Sequence, residues 1–88
     1  MEKDYSWIVR GKQRKKIIKV MDKNKPKIPT QIKEQTKLSL NNVSDILREF
    51  KKKRIVKCLN PKEKTGRLYE LTSKGMRIKE KIEEYGEP

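Results

Sequence analysis

Asn41, Asn42, Ser44, Asp45 and Arg48 place amide, hydroxyl, carboxylate and guanidinium groups within one short stretch of chain. Their chemistry is hydrogen bonding rather than bond making. An Asn amide offers a donor and an acceptor that match an adenine edge, a Ser hydroxyl suits a base or a phosphate, and an Arg fork suits guanine or phosphate. A second set consists of single charges: Lys62, Lys64 and Arg67 in PKEKTGR, and the run KKKR at 51–54, which includes Lys52. These suit phosphate, which asks no special geometry of a lysine. One cysteine, Cys58, and no histidine leave little with which to build a metal site or a nucleophile–base pair. We therefore expect no catalytic residues, no bound metal, no cofactor and no enzymatic activity. Cys58 reads as a small core hydrophobe at an inward strand position.

The elements that must position these groups follow from periodicity and punctuation. Ser39 is a good N-cap for a helix from Leu40 to about Lys52. On it Val43, Leu47 and Phe50 share one face, flanked by Leu40 and Ile46, while Asn41, Asp45, Arg48 and Lys52 lie opposite. Before it, Pro29 fits the first position of a shorter helix that runs to about Gln35 around Ile32. Thr36, Lys37 and Leu38 form the turn between them. Ile28 makes a poor cap, so tertiary contacts must hold that end; it could also form a tiny strand. Ile17, Ile18 and Met21 define a first helix from about Lys12 to Asp22, with residues 5–10 extending it or packing separately. Residues 55–60 and 67–71 read as two strands of a hairpin around the loop 61–66. Thr72 caps a last helix from Ser73 to about Tyr85. The fold class is mainly α with a small β-hairpin, in one domain spanning residues 1–88.

Composition sharpens the choice of partner. The chain of 88 residues carries a net charge of +13, and the charge is unevenly placed. Residues 10–27 sum to +8 and residues 48–67 to +7, whereas residues 28–47 are neutral and each end sums to −1. A lysine-rich composition alone would interleave Glu, as RIKEKIEE at 77–84 does and 10–27 does not. Two basic segments around a neutral, amide-bearing helix imply a surface that attracts polyanions. No apolar run is long enough to span a bilayer and no signal-peptide pattern opens the chain, so a soluble cytoplasmic protein without a membrane partner is expected.

RGKQRKKIIKVM, IPTQI, LSLNNVSDILREFKKKRIVKCLNP and GRLYELTSKG together resemble a winged helix–turn–helix transcriptional regulator, closest to small archaeal members related to the MarR and ArsR groups. The most specific pieces are Val43, Ser44 and Leu47 of V-S-x-x-L, and Gly66 to Gly75 of G-R-x-Y-x-L-T-x-x-G. The resemblance implies a three-helix core, a wing and a C-terminal helix, with 39–52 as recognition helix and 60–67 as wing. By it, Leu40, Asn41, Ser44, Asp45 and Arg48 fall where such proteins contact bases and backbone, and Lys62, Lys64 and Arg67 fall on the wing. Two departures stand out. Asp45 replaces a polar or basic residue, and Thr36 stands where a glycine is common. The cysteine and histidine clusters of metal-sensing relatives are absent.

The expected function is regulation of transcription by binding double-stranded DNA. Helix one, with Arg14 and Lys15, joins the wing on phosphate. Asp45 either accepts from a cytosine amine or, as we favour, pairs with Arg48 or Lys52. Tyr5, Trp7, Ile8, Ile78, Ile82 and Tyr85 exceed the obvious needs of a core this small, which suggests a homodimer through the N- and C-terminal segments. The bland alternative is that they close the monomer core. A winged-helix module for RNA or protein partners is the alternative function, since fold does not fix function.

Overall fold

In the computed structural model, which describes residues 2–86, there are five α-helices and a two-stranded hairpin; the last four helices and the hairpin follow in the order the sequence predicts, and an additional helix precedes them. Residues 1, 87 and 88 of the expected domain lie outside this description. The helices are α1 (Glu2–Val9), α2 (Lys12–Val20), α3 (Pro29–Thr36), α4 (Leu40–Lys52) and α5 (Ser73–Lys81), the last running on into a π-helical turn, Ile82–Gly86. The strands are β1 (Val56–Cys58) and β2 (Tyr69–Leu71), antiparallel, with Val56 opposite Leu71 and Cys58 opposite Tyr69. Lys27 adds a single antiparallel bridge to Tyr69. The tiny strand expected at Ile28 thus exists one residue earlier. The arrangement is a winged helix–turn–helix.

Residues 5–10 do not extend the first helix. Residues 5–9 belong to α1, Arg10 is a turn, and Gly11 then caps α2 with an extended backbone. Ile28 stands at the cap position just before α3, and its backbone N–H donates to Gln31 Oε1 at 2.9 Å. That is the half of a capping box a hydrocarbon residue permits. Thr36 is the last residue of α3 rather than part of the turn, and it is buried. Its hydroxyl donates to the Ile32 carbonyl and accepts from the Leu38 N–H. The left-handed position falls on Lys37, with φ 64°. Ser39 caps α4 as predicted, its Oγ accepting from the Asn42 N–H at 3.2 Å.

Among the described residues, fourteen side chains form the core, and every helix and strand contributes at least one. Ile8, Ile78 and Ile82 are among them, no more than 1% exposed. Three of the six residues assigned to a dimer interface therefore already close the core of one chain, while Tyr85 stands 70% exposed. Trp7 is half-buried, edge-on to Phe50 at 5.9 Å. Cys58 is also half-buried at its strand position rather than sealed in the core.

Polar contacts fasten the ends. Asp4 of α1 takes an ion pair from Lys74 at 2.6 Å and a longer one from Lys53 at 3.7 Å. At the far end of α2, the buried Lys79 ammonium donates to the Met21 carbonyl and to Asp22 Oδ1, at 2.7 and 2.8 Å. Lys79 lies in the stretch the charge pattern presents as a solvated face. A buried ammonium keeps its charge only with partners of this kind. Glu70 is likewise covered, paired across the hairpin with Lys57 at 3.6 Å.

Both aspartates are held below the ordinary value of 3.8. For Asp4 the hydrogen bond from Lys74 is the main cause, and for Asp22 the one from Lys79, each outweighing the desolvation that pushes the other way. A depressed folded pKa stabilises the fold wherever the pH exceeds the unfolded value, and that contribution is lost as the pH falls through the folded one. Urea midpoints are therefore expected to hold from neutrality to about pH 5 and to fall below about pH 4. Asp4→Asn with Asp22→Asn should start lower at pH 7 and lose less on acidification. Equal acid losses in the two proteins would remove these pairs as the cause.

Candidate nucleic-acid interface

α4 presents its outward residues as a stripe. Leu40, Ser44, Arg48 and Lys51 recur at intervals of four, four and three, one line along the helix surface. Opposite them stands the loop between β1 and β2, contributing Lys64, Thr65, Gly66 and Arg67. Ile28, Pro29 and Thr30 at the start of α3 and Tyr69 of β2 complete a groove of about 420 Å³. Four cations thus converge on one concave strip: two from the helix and two from the wing.

The wing is braced internally. Asn60 Oδ1 accepts from the Leu68 N–H at 2.7 Å, and its amide donates to the Gly66 carbonyl at 3.2 Å, so one side chain ties both sides of the loop. Arg67 Nε donates to the Glu63 carbonyl at 2.6 Å. Cys58 Sγ rests 3.7 Å from the same Asn60 oxygen. Gly66 takes φ 66°, a left-handed turn that glycine adopts without strain.

Of the predicted site residues, the structure brings Leu40, Ser44, Arg48, Lys64 and Arg67 together in the groove. Asn41, Asn42, Asp45, Lys52 and Lys62 are exposed and do not line it. Asp45 Oδ1 accepts from Arg48 Nη1 at 3.1 Å, the surface ion pair favoured from spacing. With both side chains about two-thirds exposed, its worth to stability is small. Its worth to position is larger, since it anchors one nitrogen of a long, mobile side chain.

Arg14 and Lys15 lie on α2, outside the groove. The Arg14 guanidinium stacks on the Trp7 ring, 4.4 Å from its centroid, and donates to the Trp7 carbonyl. Lys53 covers the same ring at 4.7 Å. Arg14 thus joins α1 to α2. Spacing alone assigned it to phosphate because the partner ring lies on another element.

The sequence reading missed Ile28, Pro29, Thr30, Thr65 and Tyr69 as groove residues. Lys51 was read only as part of the run 51–54, and its place three positions beyond Arg48 on the same line singles it out. Ile28 and Tyr69 carried none, because only the bridge between Lys27 and Tyr69 sets them side by side.

No protein-family model matches the chain, and no curated protein matches it. Among solved structures it is similar to the crystal structure of NadR in complex with 4-hydroxyphenylacetate, with a TM-score of 0.72 and 22% identity. The match covers 93% of this chain and 62% of that one, so this chain spans less than two thirds of the NadR chain. At this identity the two share a fold: the winged helix–turn–helix that carries the groove between α4 and the wing.

Proposed function

We propose that the protein is a DNA-binding transcriptional regulator of the MarR type, with α4 in the major groove and the wing on the backbone. The observation that carries this reading is the groove itself. One stripe of a capped helix and one braced loop converge, and Arg48, Lys51, Lys64 and Arg67 all face the same strip. A major groove admits a helix of this size, and side chains near the helix start reach base edges. The shared fold with NadR, a MarR-family regulator, supports the same reading. The bound form is a homodimer, joined through N- and C-terminal segments around the exposed Tyr85 and setting two copies of α4 about 34 Å apart on successive grooves. Its place is the cytoplasm, with the DNA.

Selection of bound sequences from a random duplex library tests the reading, with the mass of the complex measured in solution. Recovery of a common site with two half-sites supports it. If RNA or a protein partner binds tightly while no duplex is enriched, the reading fails. On the selected site, Arg48→Ala should lower discrimination against random DNA roughly tenfold, the loss of one bidentate base contact. Lys64→Ala should weaken selected and random duplexes alike, as loss of a phosphate contact does. Equal losses on both kinds of DNA for both variants would sink the division of labour between helix and wing.

A further inference from the structure

The groove holds an apolar side chain where a phosphate site has no use for one. Among the described residues, Leu40, Leu59 and Tyr85 are the large hydrophobic side chains that stand exposed. Of these, Leu40 lines the groove, 43% exposed. It occupies the first position of α4, directly after the Ser39 cap that fixes the helix start. Ile28, Pro29 and Tyr69 line the same groove. The cations are Arg48 and Lys51, further along α4, and Lys64 and Arg67 on the wing.

Along α4, charge and apolarity are therefore separated, with Leu40 at the tip and Arg48 and Lys51 two and three turns further on. The cations match phosphate; the leucine at the helix tip matches nothing on a sugar–phosphate chain. Base edges in the major groove present donors, acceptors and one apolar group, the C5 methyl of thymine. A leucine at the leading end of a helix entering that groove meets base edges before any other residue of the helix does. Asn41 and Asn42 beside it are exposed and suit adenine, the partner of thymine.

We infer that Leu40 is a specificity-determining residue that reads a thymine methyl, so that each half-site carries an A·T pair under the start of α4. This rests on the DNA-binding reading above and adds a base and an atom to it. Leu40 makes no hydrogen bond in this role. It removes apolar surface of its own and of the methyl from water, and both gain by it.

Deoxyuridine keeps every hydrogen-bonding group of thymine and lacks only the methyl, which makes it the probe. The selected duplex is prepared with thymines replaced by deoxyuridine one position at a time, and binding is followed by fluorescence anisotropy. For the unmodified protein, one position in each half-site should weaken binding about fourfold, the contribution of one buried methyl-sized group. Leu40→Ala should bind the thymine site more weakly and lose its sensitivity at that position alone. Because Leu40 is exposed, the variant keeps its fold, which an unchanged urea midpoint verifies. If no deoxyuridine position affects the protein, or if Leu40→Ala retains the full sensitivity, Leu40 does not read the methyl while DNA binding stands. If no duplex is selected at all, the DNA-binding reading falls and this inference with it.

Discussion

Gly75→Ala is expected to cost about 3 kcal/mol or more, the upper end of what forced overpacking causes. A Cβ at this position would sit 2.1 Å from the Ile55 carbonyl oxygen and 3.2 Å from Leu71 Cδ2. The first of these is backbone and has nowhere to go. The Ile55 carbonyl already accepts from the Thr72 N–H at 3.0 Å and from its hydroxyl at 3.1 Å, and the same hydroxyl donates to the Arg54 carbonyl at 2.6 Å. Thr72 Oγ also caps α5 by accepting from the Gly75 N–H at 3.0 Å. Moving α5 outward to admit a methyl group would pull that cap away from the end of α4. Gly66→Ala supplies the contrast: its φ is 66° but a Cβ there meets nothing within 4 Å, so about 1 kcal/mol of backbone strain is its whole cost. Urea unfolding followed by the fluorescence of Trp7, the single tryptophan, measures both. Similar midpoint shifts for the two variants would show that the close approach at Gly75 relaxes.

Raising salt from 50 to 200 mM is expected to weaken duplex binding by about 500-fold for each bound copy, the loss that goes with about five phosphate contacts. Arg48, Lys51, Lys64 and Arg67 line the groove, and Lys52 and Lys62 are exposed on the same helix end and the same loop. If Lys51, Lys52, Lys62, Lys64 and Arg67 neutralise five phosphates per copy, with Arg48 on a base, the logarithm of the affinity falls against the logarithm of salt with a slope of about −4.5. Two copies on one site make it roughly twice as steep. The cations tied up in structure, Arg14 on Trp7, Lys74 on Asp4 and Lys79 on Asp22, should not add to it. A titration by anisotropy over this range decides the point. An affinity that changes less than threefold would mean the groove does not track a phosphate backbone.

The parts of the fold legible in the sequence are those whose causes are local. α4 was readable from end to end because its apolar face, polar stripe and Ser39 cap all lie within fourteen residues. The start of α3 at Pro29 and the Thr72 cap were readable for the same reason. Lys79 was not. Its chemistry suits a solvated helix face, and only the arrival of Met21 and Asp22, 58 and 57 positions away, makes burial affordable. Glu70 escaped because strict alternation along β2 would expose it, whereas all three residues of that short strand are covered. Of the site, the half on α4 and the wing was visible as residue types at helical and loop positions. The floor from Ile28 and Tyr69 is a product of tertiary pairing.

The terminal segments teach the same lesson from the other side. A surplus of apolar residues at both ends suggested a second copy as their cover. Ile8, Ile78 and Ile82 instead meet within one chain, because the helix break at Gly11 turns α1 back onto the C-terminal turn. Periodicity locates an apolar face, but which partner covers it depends on where the chain bends.

Asn60 has a consequence for kinetics. With its amide joining the start of the loop to its returning side at Gly66 and Leu68, the base of the wing has lost conformational freedom before any partner arrives. Engagement then requires no loop to search for its shape. The rate of capture is left to diffusion and long-range attraction between a cationic strip and a polyanion, and the lifetime of the complex to the short-range fit that follows.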